Sequence, residues 1–138
     1  MFDVLTDIKW LAVLAAFVAS AVIAGVYFPV LIAKPYIVAL GRENAREPES
    51  SLVRNLGPVV CILATTITSA VLITALDITA VGDAVVFGLL VGIGYLTAMT
   101  FQIALNPNFP RPLYYGVLNA PFFIITSVLT SVIIVWIG

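Results

Sequence analysis

The chain has 138 residues, of which 62% are hydrophobic and 9% charged, against about 25% charged in an ordinary soluble domain, so a soluble globular protein is excluded. A formal net charge of −1 offers nucleic acid no basic footprint. The sequence has no histidine and one cysteine, Cys61, which removes His/Cys metal centres, an intrachain disulfide and a Cys-x-x-Cys redox pair.

Charge-free runs at residues 10–33, 56–76, 84–105 and 113–137 each hold 21 residues or more, enough to cross a bilayer as a helix. They predict an all-α integral membrane protein, a four-transmembrane-helix bundle forming one membrane domain over residues 1–138. The first run is expected to be retained as a span, because the residues before it (Asp3, Asp7 and a single Lys9) are not the basic region of a secretory signal and the apolar stretch is too long for one. Pro35 to Leu40 continues the first helix or lies along the interface. Residues 41–55 form the one substantial polar segment, a connector expected to be solvated and drawn to anionic head groups. Ser50 or Asn55 is placed to cap the second span. Asp77 and Asp83 fall in the next turn, and Arg111 in the last.

Five basic residues, Lys34, Arg42, Arg46, Arg54 and Arg111, stand in the first and third connections, against Lys9 alone on the other side. Positive-inside counting then places the loop 34–55 and residues 106–112 in the cytoplasm, with both termini outside the cytoplasm. Trp10 and Trp136 mark the outer interface; Tyr36, Tyr114 and Tyr115 mark the inner one.

Lipid gives no hydrophobic drive between helices, so small and polar residues at helical spacing predict the packing seams. On the third helix Gly88, Gly92, Tyr95, Met99, Gln102 and Asn106 form one line, with Gly88 and Gly92 assigned to close packing. The corresponding lines are Cys61, Thr65, Thr68, Leu72 and Ala75 on the second helix, Ala16, Ser20, Ala24 and Tyr27 on the first, and Tyr115, Asn119, Phe123, Thr126 and Thr130 on the fourth. Counted from the inner ends of their spans, Tyr27, Cys61, Gln102 and Asn119 share one level, about 5 to 9 Å deep by helix rise. Pro29 and Pro121 lie there too, freeing the Gly25 and Val117 carbonyls. Two readings follow: these four residues line a small polar pocket open to the cytoplasm, or the amides and the phenol satisfy the carbonyls freed at two kinks.

The run Gly25-Val-Tyr27-Phe-Pro29-Val-Leu-Ile-Ala-Lys34-Pro-Tyr36, with Gly94-Tyr95 and Leu118-Asn119-Ala120, resembles domain-of-unknown-function family 1761. Pro121-Phe122 stands where that family more often has glycine before an aromatic residue. The resemblance implies a small bacterial protein with four spans in the inner (cytoplasmic) membrane, and it carries no catalytic residue.

Of the function classes, an enzyme lacks histidine, intramembrane carboxylates and a metal set; no catalytic residue, metal site or cofactor is expected. A structural or assembly subunit, or a homo-oligomer, needs only packing faces and fixed topology, with the lipid bilayer and other membrane helices (its own copies or a larger complex) as partners. The alternative is a small-solute or lipid transporter or channel using the cytoplasm-facing pocket, although no charge lies within a span where such proteins usually carry one.

Overall fold

The computed structural model describes residues 3–138; Met1 and Phe2 of the expected domain lie outside the described residues. The described residues are 79% helical, with no strand among them. Four helices are long and apolar enough to cross a membrane: Trp10–Leu31, Leu52–Ala75, Val81–Ala104 and Pro112–Ile137, called the first to fourth spans below. A short turn of helix, Val4–Asp7, precedes them, and a second short helix, Ala33–Ala39, continues the first span toward the polar loop.

The second span starts four residues earlier than the charge-free run. Its cap is Ser51, whose hydroxyl accepts the Arg54 N–H at 3.1 Å, in place of the expected Ser50 or Asn55. Counting uncharged residues misses a helix whose first turn carries an arginine. The third span likewise begins at Val81, with Asp83 in its first turn, where a carboxylate suits the positive end of the helix dipole. Two helices close in the same way. At Gly41 (φ +64°) the Arg42 N–H reaches the Ile37 carbonyl and the Gly41 N–H that of Val38; at Asp77 (φ 54°) the Ile78 N–H reaches Ile73 and the Asp77 N–H reaches Thr74. Both are Schellman closures, which need a left-handed residue just past the helix.

The fourth span is the hub. It packs on the first and third along most of its length, while the second docks on the first and fourth. At the end that carries both termini, Val13, Ala16, Ala70, Ile73, Phe87 and Ile134 form the common core. Ser20 and Thr130, both buried, bond across the first and fourth spans at 3.1 Å.

Gly88 and Gly92 set the closeness of the third span. A Cβ on Gly88 would lie 2.5 Å from the Val128 Cα and 2.8 Å from its nitrogen; one on Gly92 would lie 2.9 Å from the Ile124 Cα. Backbone meets backbone here, as close-range attraction between membrane helices requires. Beyond Gly92 the expected line breaks. Leu90–Thr97 is π-helical, and bonding to the fifth residue along instead of the fourth adds a residue to the turn. The inward face passes to Leu96, Thr97, Thr100 and Phe101, half-buried, and then to buried Ala104, while Tyr95, Met99 and Gln102 turn outward.

The second span departs too. Cys61, Thr65, Thr68, Leu72 and Ala75 are all exposed, and the buried residues are Thr66, Ser69, Ala70 and Ile73. Small and polar residues occupy two neighbouring lines on this helix, so periodicity alone does not say which one faces the bundle. None of residues 52–65 is fully buried, with Gly57 and Ile62 half-buried, and the span docks mainly through its second half.

The Gly88 contact predicts that Gly88→Ala lowers the melting temperature in detergent, by the roughly 1–3 kcal/mol typical of overpacking, because the atoms it meets are main chain. Gly25→Ala, with nothing within 4 Å of the new methyl, should melt like the parent. Equal melting of the two variants would show that the third and fourth spans do not meet at Gly88.

Candidate functional site

The level of Pro29 and Pro121 is built from backbone outward. Pro29 has no N–H to continue the α-helical ladder, and the first span answers with a π-helical turn, Tyr27–Leu31, closed by the Ile32 N–H on the Tyr27 carbonyl at 3.0 Å. Pro121 sits inside the fourth span without ending it. Next to the Val117 carbonyl that Pro121 leaves unbonded, the Leu118 carbonyl accepts the Tyr27 hydroxyl at 2.8 Å. In lipid such a bond contributes about 0.6 kcal/mol on average. Asn119 is 3% exposed, and its Nδ2 donates to the Tyr115 carbonyl of its own helix at 2.8 Å.

Aromatic rings fill the surrounding space. Phe122 lies 4.9 Å from Phe28 and 5.8 Å from Tyr27 between ring centroids; Tyr36 stands 5.6 Å from Phe28 and 5.6 Å from Tyr115. Phe101 of the third span rests directly on Gly116, where a methyl would have no room. The rings occupy the volume in which the sequence placed a wet pocket.

The structure therefore brings together two of the four predicted residues. Tyr27 and Asn119 meet on one turn of the fourth span, with the phenol and the amide both engaged by backbone carbonyls. Cys61 and Gln102 are exposed on the second and third spans and do not join that turn. A cavity of about 390 Å³ opens at the opposite end, between Val13, Ala70, Ile73, Thr74 and Ile134, and the Lys9 ammonium bonds the Gly138 carbonyl there. Sequence reasoning did not anticipate it, because its walls come from the ends of three spans. No group of three or more His, Cys, Asp or Glu side chains suited to a metal occurs among the described residues.

A family model described as "Protein of unknown function (DUF1761)" matches residues 11–135. The chain belongs to this family. No curated protein and no solved structure matches it. The DUF1761 match covers all three runs that carry the resemblance. Two of them touch, since the Tyr27 hydroxyl and the Leu118 carbonyl belong to different runs.

The polar loop of this DUF1761 chain is also tied down. The Arg111 guanidinium bonds the Val38 carbonyl and the Glu43 carboxylate, the latter at 2.7 Å. Gly41 abuts Pro110 so closely that a Cβ would stand 2.7 Å from its ring. The hydrogen bond from Arg111, followed by one from its own backbone, holds the Glu43 carboxyl below its ordinary value. A lowered carboxyl contributes while ionised, so the tie is complete above the ordinary value of 4.5 and is lost as pH falls below it. Hydrogen-exchange protection of the Arg42 and Ala45 amides, corrected for intrinsic rates, should stay constant down to that pH and then drop. In Glu43→Gln it should be lower and flat. Protection in the parent that ignores pH would remove Glu43 from the tie.

Proposed function

We propose that this protein is a membrane-embedded scaffold, a structural or assembly subunit or homo-oligomer of a bacterial inner membrane, without catalytic chemistry of its own. The observation that carries this reading is the fate of the polar groups inside the spans. Tyr27 and Asn119 bond backbone carbonyls, Thr66, Thr74, Thr100, Thr126 and Ser131 bond carbonyls of their own helices, and Ser20 bonds Thr130. Polar chemistry used in this way fixes helix positions through Tyr27 with Leu118 and Ser20 with Thr130, the two of these bonds that join spans, and stays within one helix elsewhere. It leaves no convergent set of acid, base or nucleophile at the level of the two prolines.

The orientation belongs to the same proposal. The two basic connections meet, through Arg111 with Glu43 and Gly41 with Pro110, so five positive charges gather at one end. The positive-inside bias supports that end as cytoplasmic, with both termini outside. An alkaline phosphatase fusion after Gly138 should then be active and one near Pro48 inactive; the reverse pattern overturns the orientation.

Native mass spectrometry of mildly solubilised membranes tests the scaffold itself. A stable assembly, of this chain alone or with other subunits, is the expected result. A monomer throughout, with no co-purifying subunit, overturns the reading.

A further inference from the structure

The π-helical stretch divides what is one line in the sequence into two surfaces. Gly88 and Gly92 face the fourth span, whereas Gly94, Tyr95, Ala98, Met99 and Gln102 face outward. We propose that this outward surface of the third span docks a second copy of the chain, side by side in the same orientation, with Tyr95 and Gln102 each bonded to its counterpart. The proposal rests on the scaffold reading and names its partner.

The decisive group is the Tyr95 phenol. It is 73% exposed and makes no hydrogen bond among the described residues. Tyr95 lies two to three residues past the midpoint of Val81–Ala104, about 4 Å by helix rise. Helical side chains lean toward the N-terminal end, so the hydroxyl is carried to the middle of the bilayer, away from the head groups beyond Ala104. Hydrocarbon cannot satisfy it. Gln102, seven residues and two turns on, is exposed on the same face.

Both groups donate and accept. About a two-fold axis along the membrane normal, each residue near the axis faces its own copy, and a shared direction of insertion makes the copies parallel. A phenol pair and an amide pair are then complete without a foreign donor. Gly94, with nothing within 4 Å of a built Cβ, and exposed Ala98 leave room for the partner backbone to approach. The outward line of the first span, through Leu11, Leu14, Val18 and Val22, is apolar, and the outward first half of the second span also differs in kind. It presents Leu52, Val53 and Val60 at 63–83% exposure, and its Thr65 hydroxyl is bonded to the Ile62 carbonyl. Lipid covers such a surface well.

Oxidative cross-linking in intact membranes tests the inference. In a Cys61→Ala background, Ala98→Cys should give a disulfide-linked dimer on treatment with copper phenanthroline, and Val60→Cys should not. Adding Tyr95→Phe to Ala98→Cys should weaken association about threefold, the equivalent of one average interhelical bond in lipid. The inference is overturned if Ala98→Cys cross-links no better than Val60→Cys, if it links to a foreign protein, or if Tyr95→Phe leaves the yield unchanged. Failure of the cross-link while native mass spectrometry still records an assembly would reject this interface and keep the scaffold; a monomer in both would reject the two together.

Discussion

A carbonyl in hydrocarbon that loses its amide partner has no water to turn to, and this chain places a proline inside three of its four spans, at Pro29, Pro58 and Pro121. The first span absorbs Pro29 by widening its own helix into a π-helical turn. At Pro121 the fourth span stays straight enough to serve as hub, with a donor arriving from outside, the Tyr27 hydroxyl on the Leu118 carbonyl. The two solutions depend on each other. The π turn begins at Tyr27, so the residue that opens one irregularity also bonds the carbonyl beside the other. The aromatic cluster of Phe28, Tyr36, Tyr115 and Phe122 grows around that bond and closes the end of the bundle near the polar loop.

Close backbone contact does at the termini end what aromatic rings do at the other. Gly88 and Gly92 bring the third span onto the main chain of the fourth, while buried Ala16, Ala70 and Ala84 keep the neighbouring helices near. Attraction of this type is short-ranged. It is lost if either helix rotates, and the π-helical stretch Leu90–Thr97, which carries Gly92 in its first half, is such a rotation.

The membrane class and the number of spans were legible because length and charge are one-dimensional properties. Rotation about a helix axis was not. On the first and fourth spans the chosen lines do hold buried residues, Ala16 and Ser20 on one and Asn119, Thr126 and Thr130 on the other, with Ser20 bonded to Thr130, although the fourth span also buries Gly116, Ser127 and Ser131. The second span carries two such lines, and Cys61 was assigned to the wrong one for packing because Thr66, Ser69 and Ala70 lie only one residue along. On the third, an α-helical count carried Tyr95 and Gln102 to the inside, since nothing in Leu90 to Thr97 announces a wider turn. Tyr27 and Asn119, counted to one level from the ends of their spans, do come together, the Tyr27 hydroxyl bonding the carbonyl of Leu118 beside Asn119. Residue spacing gave no sign of the aromatic rings that gather around that turn.

The half-docked second span leaves the four helices unequal before a change in bilayer thickness. The first and fourth are fixed at both ends, by the termini-side core and by the aromatic cluster, and the third is pinned by Gly88 at one end and by Phe101 on Gly116 at the other. The second is held mainly beyond residue 65, and an extended stretch of polar loop precedes its other end. Hydrophobic mismatch, which a span accommodates by tilting or by local bilayer deformation at fractions of a kcal/mol per Å, therefore falls on one helix. In a thinner or thicker membrane the second span tilts, and the packing of the other three is left as it was.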